Sequence, residues 1–220
     1  MQTIAQDITD FRELRELGFI YVDKTALLAR LIDRQDTGGK LYFVSRPRRF
    51  GKSLMLSTLK YLFQGRRDLF KGLAIDSLDY DWAEYPVISL DFYTTIAPTL
   101  ETFEANLRVL VREALLATGA DWDDAATPEA NFGMAIETLA KRRGKPVVVL
   151  IDEYDAPVSH ALDDIPRANA VRERLSAIYA QLKARAANIR FMMMTGVTKF
   201  TQLSVFSALN NLTDLTLQPE

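Results

Sequence analysis

The sequence predicts an α/β fold: a doubly wound parallel sheet of about five strands with helices on both faces, behind a short N-terminal helical extension. Three observations lead there. Short apolar runs rich in branched and large side chains recur at 41–44, 87–91, 147–151 and 189–195. None of them alternates apolar with polar, which marks strands buried on both faces. Stretches of helical pattern separate each run from the next, as parallel neighbours require.

Taken in order, Thr9 or Asp10 can cap a short helix over 11–17, and Glu13 stands three residues after Asp10 as in a capping box. Asp23 can cap a second helix over 25–33, whose Leu27, Leu28, Leu31 and Ile32 share one face. Gly38-Gly39 breaks it. A strand over 41–44 and a loop over 45–51 precede a helix at 52–63. Its Leu54, Met55, Leu56, Leu59, Leu62 and Phe63 cover most of the circumference, so this helix is expected to be buried. Pro86 introduces the second strand, and helices follow at about 99–118 and 129–143. Pro146 introduces the third strand. A helix over roughly 168–187, the fourth strand and a short last strand at 214–217 complete the sheet.

Composition narrows the function. A chain of 220 residues with 48% hydrophobic side chains can bury a substantial core. Its net charge of -2 sets up no global field for DNA or anionic lipid, so nucleic acid contact is expected only indirectly, through a local patch or another domain. The absence of cysteine excludes disulfides and thiolate metal sites. Met1–Asp7 lacks the basic and apolar regions of a secretion signal, and no apolar stretch reaches bilayer length. The expectation is a soluble, cytoplasmic protein with no membrane partner.

In such sheets ligands sit beyond the carboxyl ends of the strands. The first strand ends in Arg46-Pro47-Arg48-Arg49-Phe50-Gly51-Lys52-Ser53-Leu54, which opens a helix. Helix amides and dipole favour an anion there. Lys52 would reach the β- and γ-phosphates of a nucleotide, and the Ser53 hydroxyl would ligate Mg²⁺. The general phosphate-loop pattern wants glycine where Arg46 stands, and Pro47 removes one N–H. Gly-Lys-Ser alone is a weak signal that a basic turn before any helix could carry.

The third strand strengthens it. Val147–Ile151 runs into Asp152-Glu153, the Walker B pattern. Asp152 would hold Mg²⁺ directly or through water, and Glu153 would orient or deprotonate the attacking water. The fourth strand ends in Thr195, placed to sense the γ-phosphate, and Gly196 would let the backbone approach closely. Together these read as a three-layer P-loop NTPase fold, with an N-terminal helical extension at 1–39 and a P-loop ATPase domain at 40–220.

Other features have plainer readings beside functional ones. Asp155 could support the metal's ligands from behind, or, more simply, serve the turn before Pro157. Asp23 and Lys24 could touch the base, or Asp23 simply caps its helix. Lys199 could touch phosphate or be a solvated loop lysine. The basic run Lys141–Lys145 suits a helix C-terminus with Gly144 as its cap. His160 is the single histidine and supports neither a metal site nor a triad. Arg167, Arg172, Arg174 and Arg190 are loose candidates for an arginine finger.

Five motifs occur in order: Tyr21-Val22-Asp23-Lys24-Thr25, Arg46–Leu54, Ile151-Asp152-Glu153-Tyr154-Asp155, Thr195–Phe200 and Phe206–Leu212. In these the chain resembles the bacterial AAA-ATPase-like family, over about 11–217. The resemblance implies ATP binding with Mg²⁺, and it makes arginine at position 46 a family trait. It leaves open a protein partner or self-association. Relatives commonly continue into a domain resembling PD-(D/E)XK nucleases. After Leu217 only three residues remain, so the expectation is the ATPase module alone, without that domain and without a helical lid. Beside hydrolysis stand two alternatives: a switch with little turnover regulating a partner, and the ATPase module of a nucleic-acid-processing system.

Overall fold

In the computed structural model, residues 7–33, 40–198 and 212–216 are described. Five parallel strands form one sheet: β1 (Leu41–Ser45), β2 (Val87–Asp91), β3 (Val147–Asp152), β4 (Ile189–Gly196) and β5 (Leu212–Asp214). Their spatial order is β2-β3-β4-β1-β5. β4 therefore separates β1 from β3, and its Val44↔Thr195 and Ile151↔Met194 pairings fix the register on both sides.

Side chains of a strand point alternately to opposite faces. Here both directions are buried. Phe43, Ile88, Leu90, Val149, Ile151, Met192 and Met194 join one core, under helices α4 (Leu100–Leu116), α5 (Pro128–Arg143) and α7 (Ile165–Ala184). Tyr42, Val44, Val148, Leu150, Phe191 and Met193 join the other, under α2 (Thr25–Asp33) and α3 (Lys52–Phe63). Double coverage is why the strands read as unbroken apolar runs.

The segment before β1 is docked on α3. Asp10 caps α1 (Phe11–Glu16) by accepting from the Glu13 amide at 3.0 Å. The same carboxylate accepts from Tyr61 Oη at 2.9 Å and Ser57 Oγ at 3.2 Å, while the Phe11 amide donates to Ser57 Oγ at 2.8 Å. Asp23 accepts from the Thr25 amide and hydroxyl and from the Ala74 amide, tying the start of α2 to the turn at Ala74–Ser77.

Some elements depart from expectation. α7 starts at Ile165 because Asp164 caps it and Pro166 is tolerated in the first turn. A short helix α6 (Ala156–His160) and 3₁₀ turns at Arg67–Phe70, Ala74–Ser77 and Phe92–Thr95 have no periodic signature to read. β5 pairs through Leu212–Asp214 rather than from Asp214 onward, since the Asp214 carboxylate accepts from the Thr216 amide and turns the chain. Gly144 caps α5 in the left-handed conformation, as its sequence position suggests. Gly38-Gly39, Lys199, Phe206–Asn211 and Leu217 lie outside the described residues. Among the described residues no helix is long and apolar enough to cross a membrane.

Burial raises the Asp10 pKa, but donation by Glu13, Tyr61 and Ser57 and the charge of Lys60 outweigh it and bring it below the ordinary 3.8. A lowered folded pKa means stability that is present above pH 3.8 and lost as pH falls through the folded value. Asp10→Ala is expected to lose about 1–2 kcal/mol of stability at neutral pH. The gap to wild type narrows below pH 3.8 in denaturant melts; an equal gap at acid and neutral pH would contradict this account.

Candidate functional site

The loop after β1 continues the sheet for one residue, with the Arg46 amide donating to Gly196 O at 3.1 Å. Arg46 is not among the residues of positive φ, so this position does not need the freedom of glycine. The left-handed conformation falls instead at Arg49 (φ 66) and Gly51 (φ 73, ψ 19). Gly51 is the N-cap of α3 and no side chain caps that end. The first helical bond runs from the Met55 amide to Gly51 O at 2.9 Å. The amides of Lys52, Ser53 and Leu54 precede it and have no helical partner, so this end could accept an anion after a left-handed residue.

Residues 46–50 of this loop are exposed, Phe50 to 65%, whereas Lys52 is 5% exposed. Lys52 Nζ donates to Arg46 O at 3.1 Å and Pro47 O at 3.2 Å, so the lysine closes its own loop. Its ammonium also lies 3.5 Å from Glu153 Oε1. That contact joins the end of β1 to the end of β3 across the intervening β4.

The acidic strand end is tightly held. Asp152 Oδ1 accepts from the Thr195 hydroxyl and, at 3.0 Å, from the Glu153 amide. Glu153 adopts φ 48, a costly conformation for a residue with a Cβ. Burial, chiefly, raises its pKa, and the charges of Asp152 and Asp155 add to the rise while Lys52 opposes it. Asp155 is 1% exposed. It does more than form a turn: its Oδ2 accepts from the Thr198 amide at 2.7 Å and hydroxyl at 2.8 Å, and the Val197 amide reaches both oxygens at 3.2 Å. Tyr154 supports the same junction, its amide donating to Thr195 O at 3.1 Å and its hydroxyl to Thr198 O at 2.7 Å.

The donors present fit a magnesium ion. Ser53 Oγ and Asp152 Oδ2 have no protein hydrogen-bond partner among the described residues. No group of three histidines, cysteines or carboxylates that could hold a metal occurs among them. A hydroxyl and a carboxylate oxygen of this kind could hold Mg²⁺, which takes its remaining ligands from other oxygens.

Lys52, Asp152, Glu153 and Thr195 thus converge at one sheet edge, with Arg46–Leu54 beside them. The arginine-finger candidates do not. Arg167 is tied to Asp163 and the Pro98 and His160 carbonyls, Arg172 to Asn169, and Arg174 to Glu104. Arg190 lies at the opposite end of β4, over the Tyr85 ring. His160 is exposed at the end of α6. Asp91 is a carboxylate that motif reading passed over. It sits in register with Asp152 at the end of β2. Though the residue is exposed, burial of its carboxyl raises its pKa; the Tyr93 amide opposes this and the Asp152 charge adds to it. Its signal was available, because Val87–Asp91 ends an apolar run in an acid as Val147–Asp152 does.

A model described as predicted AAA-ATPase matches residues 6–206. The chain is 38% identical over 215 residues to an uncharacterized protein in the vnfD 5' region of Azotobacter chroococcum mcd 1. That match covers 96% of this chain and 40% of the relative, so the chain spans well under half of the longer protein. Among solved structures, the Aeropyrum pernix ORC2 protein in ADPNP-ADP complexes aligns with a TM-score of 0.48 at 14% identity, covering 95% of this chain and 51% of that one. Drosophila ORC bound to GC-rich DNA and Cdc6 aligns with a TM-score of 0.43 at 12% identity, over 87% and 54%.

The junction at Gly196 yields a test. A Cβ there would stand 2.5 Å from Asp155 Oδ1 and from the Tyr154 ring, which is closer than packed atoms allow. Gly196→Ala is expected to cost about 1–3 kcal/mol of stability and to weaken nucleotide binding, because the clamp and the end of β4 must part. Thermal melts and nucleotide titration read both; a variant unchanged in both would show that the close approach does not matter.

Proposed function

This chain belongs to the predicted AAA-ATPase family, and from that premise we propose that it binds ATP with Mg²⁺ and hydrolyses it to ADP and phosphate. The observation that carries the proposal is the meeting of Lys52 and Glu153. Residues that follow two non-adjacent strands, Lys52 at the start of the helix after β1 and Glu153 just past β3, come within 3.5 Å.

Each group has a definite task. The amides of Lys52, Ser53 and Leu54 cradle the phosphates, and Lys52 places its charge on the γ-phosphate as bond breaking shifts charge there. Ser53 and Asp152 would hold the metal ion, which would supply positive charge to the polyphosphate. Thr195 donates to Asp152 and so holds that carboxylate in place. Glu153 orients the attacking water and takes its proton. Its raised pKa, chiefly from burial, makes it a stronger base than a solvated glutamate.

A second reading, a nucleotide switch with little turnover, draws on the same ion pair. Lys52 holds the carboxylate that would act as base, so turnover requires the phosphate to compete Lys52 away from Glu153. The binding and catalytic variants separate the two readings.

Lys52→Ala removes a charge-assisted contact worth about 1.5–3 kcal/mol, hence an affinity loss of about tenfold to a hundredfold, with the fold retained. Isothermal titration with ATP measures it, and undiminished affinity would sink the assignment. Glu153→Gln is expected to bind ATP as well as wild type while phosphate release slows by about a hundredfold or more. Equal turnover excludes Glu153 as the base, and a wild-type chain that binds ATP without releasing phosphate favours the switch.

A further inference from the structure

The opposite edge of the sheet, where the strands begin, carries a cavity of about 160 Å³ that is partly open to solvent. A cavity of that size admits a molecule of about six non-hydrogen atoms, with any longer part lying in the mouth. Helix α3 separates it from the phosphate loop. Lys52 stands at one end of this helix and Phe63, in the cavity wall, at the other, about 17 Å away at a rise of about 1.5 Å per residue.

The lining is chemically mixed. Ile32 and Phe63, at the ends of α2 and α3, and the rings of Tyr80 and Tyr85 supply apolar walls. Asp33, Asp79 and Asp81 bring three exposed carboxylates. Arg190, at the start of β4, brings a guanidinium. These groups lie close enough to feel one another. Burial, chiefly, raises the Tyr80 pKa; Asp81, Tyr85 and Asp33 add to the rise, and the Arg190 charge opposes it.

Arg190 is the anomaly in this lining. Its guanidinium lies over the Tyr85 ring at 5.7 Å, yet it has no hydrogen bond or ion pair among the described residues, and its Nη1 is buried without a partner. Lys145, over the same ring at 5.3 Å, differs in reaching the Glu84 carbonyl at 3.1 Å. A buried donor left without an acceptor is costly, and native structures keep few of them. The aspartates have the converse need. Asp81 accepts from the Ala83 amide at 3.1 Å, but none of the three carboxylates has an ion pair among the described residues. Nor do they form a group there that could hold a metal ion. Three carboxylates against one guanidinium leave the lining with two negative charges.

The complementary molecule carries one carboxylate for the guanidinium, two cationic groups for the aspartates, and an apolar stem for the walls between them. We propose that this cavity binds a basic amino acid, its carboxylate on Arg190 and its amino groups among Asp33, Asp79 and Asp81. The site is separate from the phosphate loop, and the inference does not depend on the ATP reading.

Isothermal titration of the whole chain tests it with three compounds. They are L-lysine; pentane-1,5-diamine, which is lysine without its carboxylate; and L-norleucine, which is lysine without its side-chain amine. L-Lysine is expected to bind once per chain, and each truncated compound about tenfold more weakly. Arg190→Gln is expected to bind L-lysine about tenfold more weakly than wild type does, and the diamine no more weakly. The double variant Asp79→Asn, Asp81→Asn should lose affinity for L-lysine and the diamine alike. No binding of L-lysine by the wild-type chain would overturn the proposal. So would a diamine that binds as tightly as L-lysine, or an Arg190→Gln chain with unchanged affinity for L-lysine. The comparison of the three compounds on the wild-type chain stays decisive even where a variant loses stability.

Discussion

Covering a parallel sheet on both faces leaves nowhere along its strands for polar chemistry. Every inward or outward side chain of β3 up to Ile151 is buried, and the same holds for β4 from Phe191 to Gly196. Functional groups are therefore confined to the strand ends, and the strand order decides which ends meet. With β4 between β1 and β3, the phosphate loop and the acidic end are about two strand spacings apart, roughly 10 Å. A lysine and a glutamate side chain reaching toward each other can span that distance, and Lys52 and Glu153 do so. Thr195, on the strand between, is left in position to hold Asp152. The arrangement follows from the topology before any particular chemistry is invoked.

Precision at that edge comes from a second layer of ties. Asp155 gathers two amides and a hydroxyl from the exit of β4, Tyr154 anchors the same segment, and Tyr179 of α7 reaches the Tyr154 carbonyl at 3.3 Å. Gly196 is small so that these can close up against it. The strained φ of Glu153 persists because this junction over-determines it. A loosened clamp would let that residue relax into an ordinary conformation and lose its aim, although no contact to nucleotide would have been touched.

How far the sequence revealed all this depends on the range of the interaction. Strands β1 to β4 were legible because double burial produces apolar runs. The caps at Asp10 and Gly144 were legible because they act within a few residues; Thr99 and Thr127, which cap α4 and α5, were not read as caps. The helix α6 escaped because five residues containing a proline show no period. The ends of β5 escaped because an edge strand of three residues is defined by its partner and by the Asp214 turn. At the site, the residue types at 52, 53, 152, 153 and 195 could be read from spacing alone. The clamp of Asp155 on residues about 42 positions away could not. Nor could the displacement of the left-handed conformation from position 46 to position 49, since it depends on Arg46 being captured by the β4 ladder.

That displacement changes how the loop itself is understood. A glycine-first phosphate loop spends its conformational freedom where the strand ends. Here the first position is held as sheet, Pro47 fixes the next turn, and the bend is postponed to Arg49 and Gly51. Stiffness at the start and strain near the end make the arch less adaptable than a glycine-rich one, so it must be pre-shaped for its ligand rather than moulded around it. Pre-shaping lowers the entropy lost on binding. It also explains why Lys52 can lie folded on the carbonyls of Arg46 and Pro47: those carbonyls are held by the stiff segment and give the ammonium a fixed seat. The cation is then positioned by the loop it closes, with Glu153 as its remaining partner.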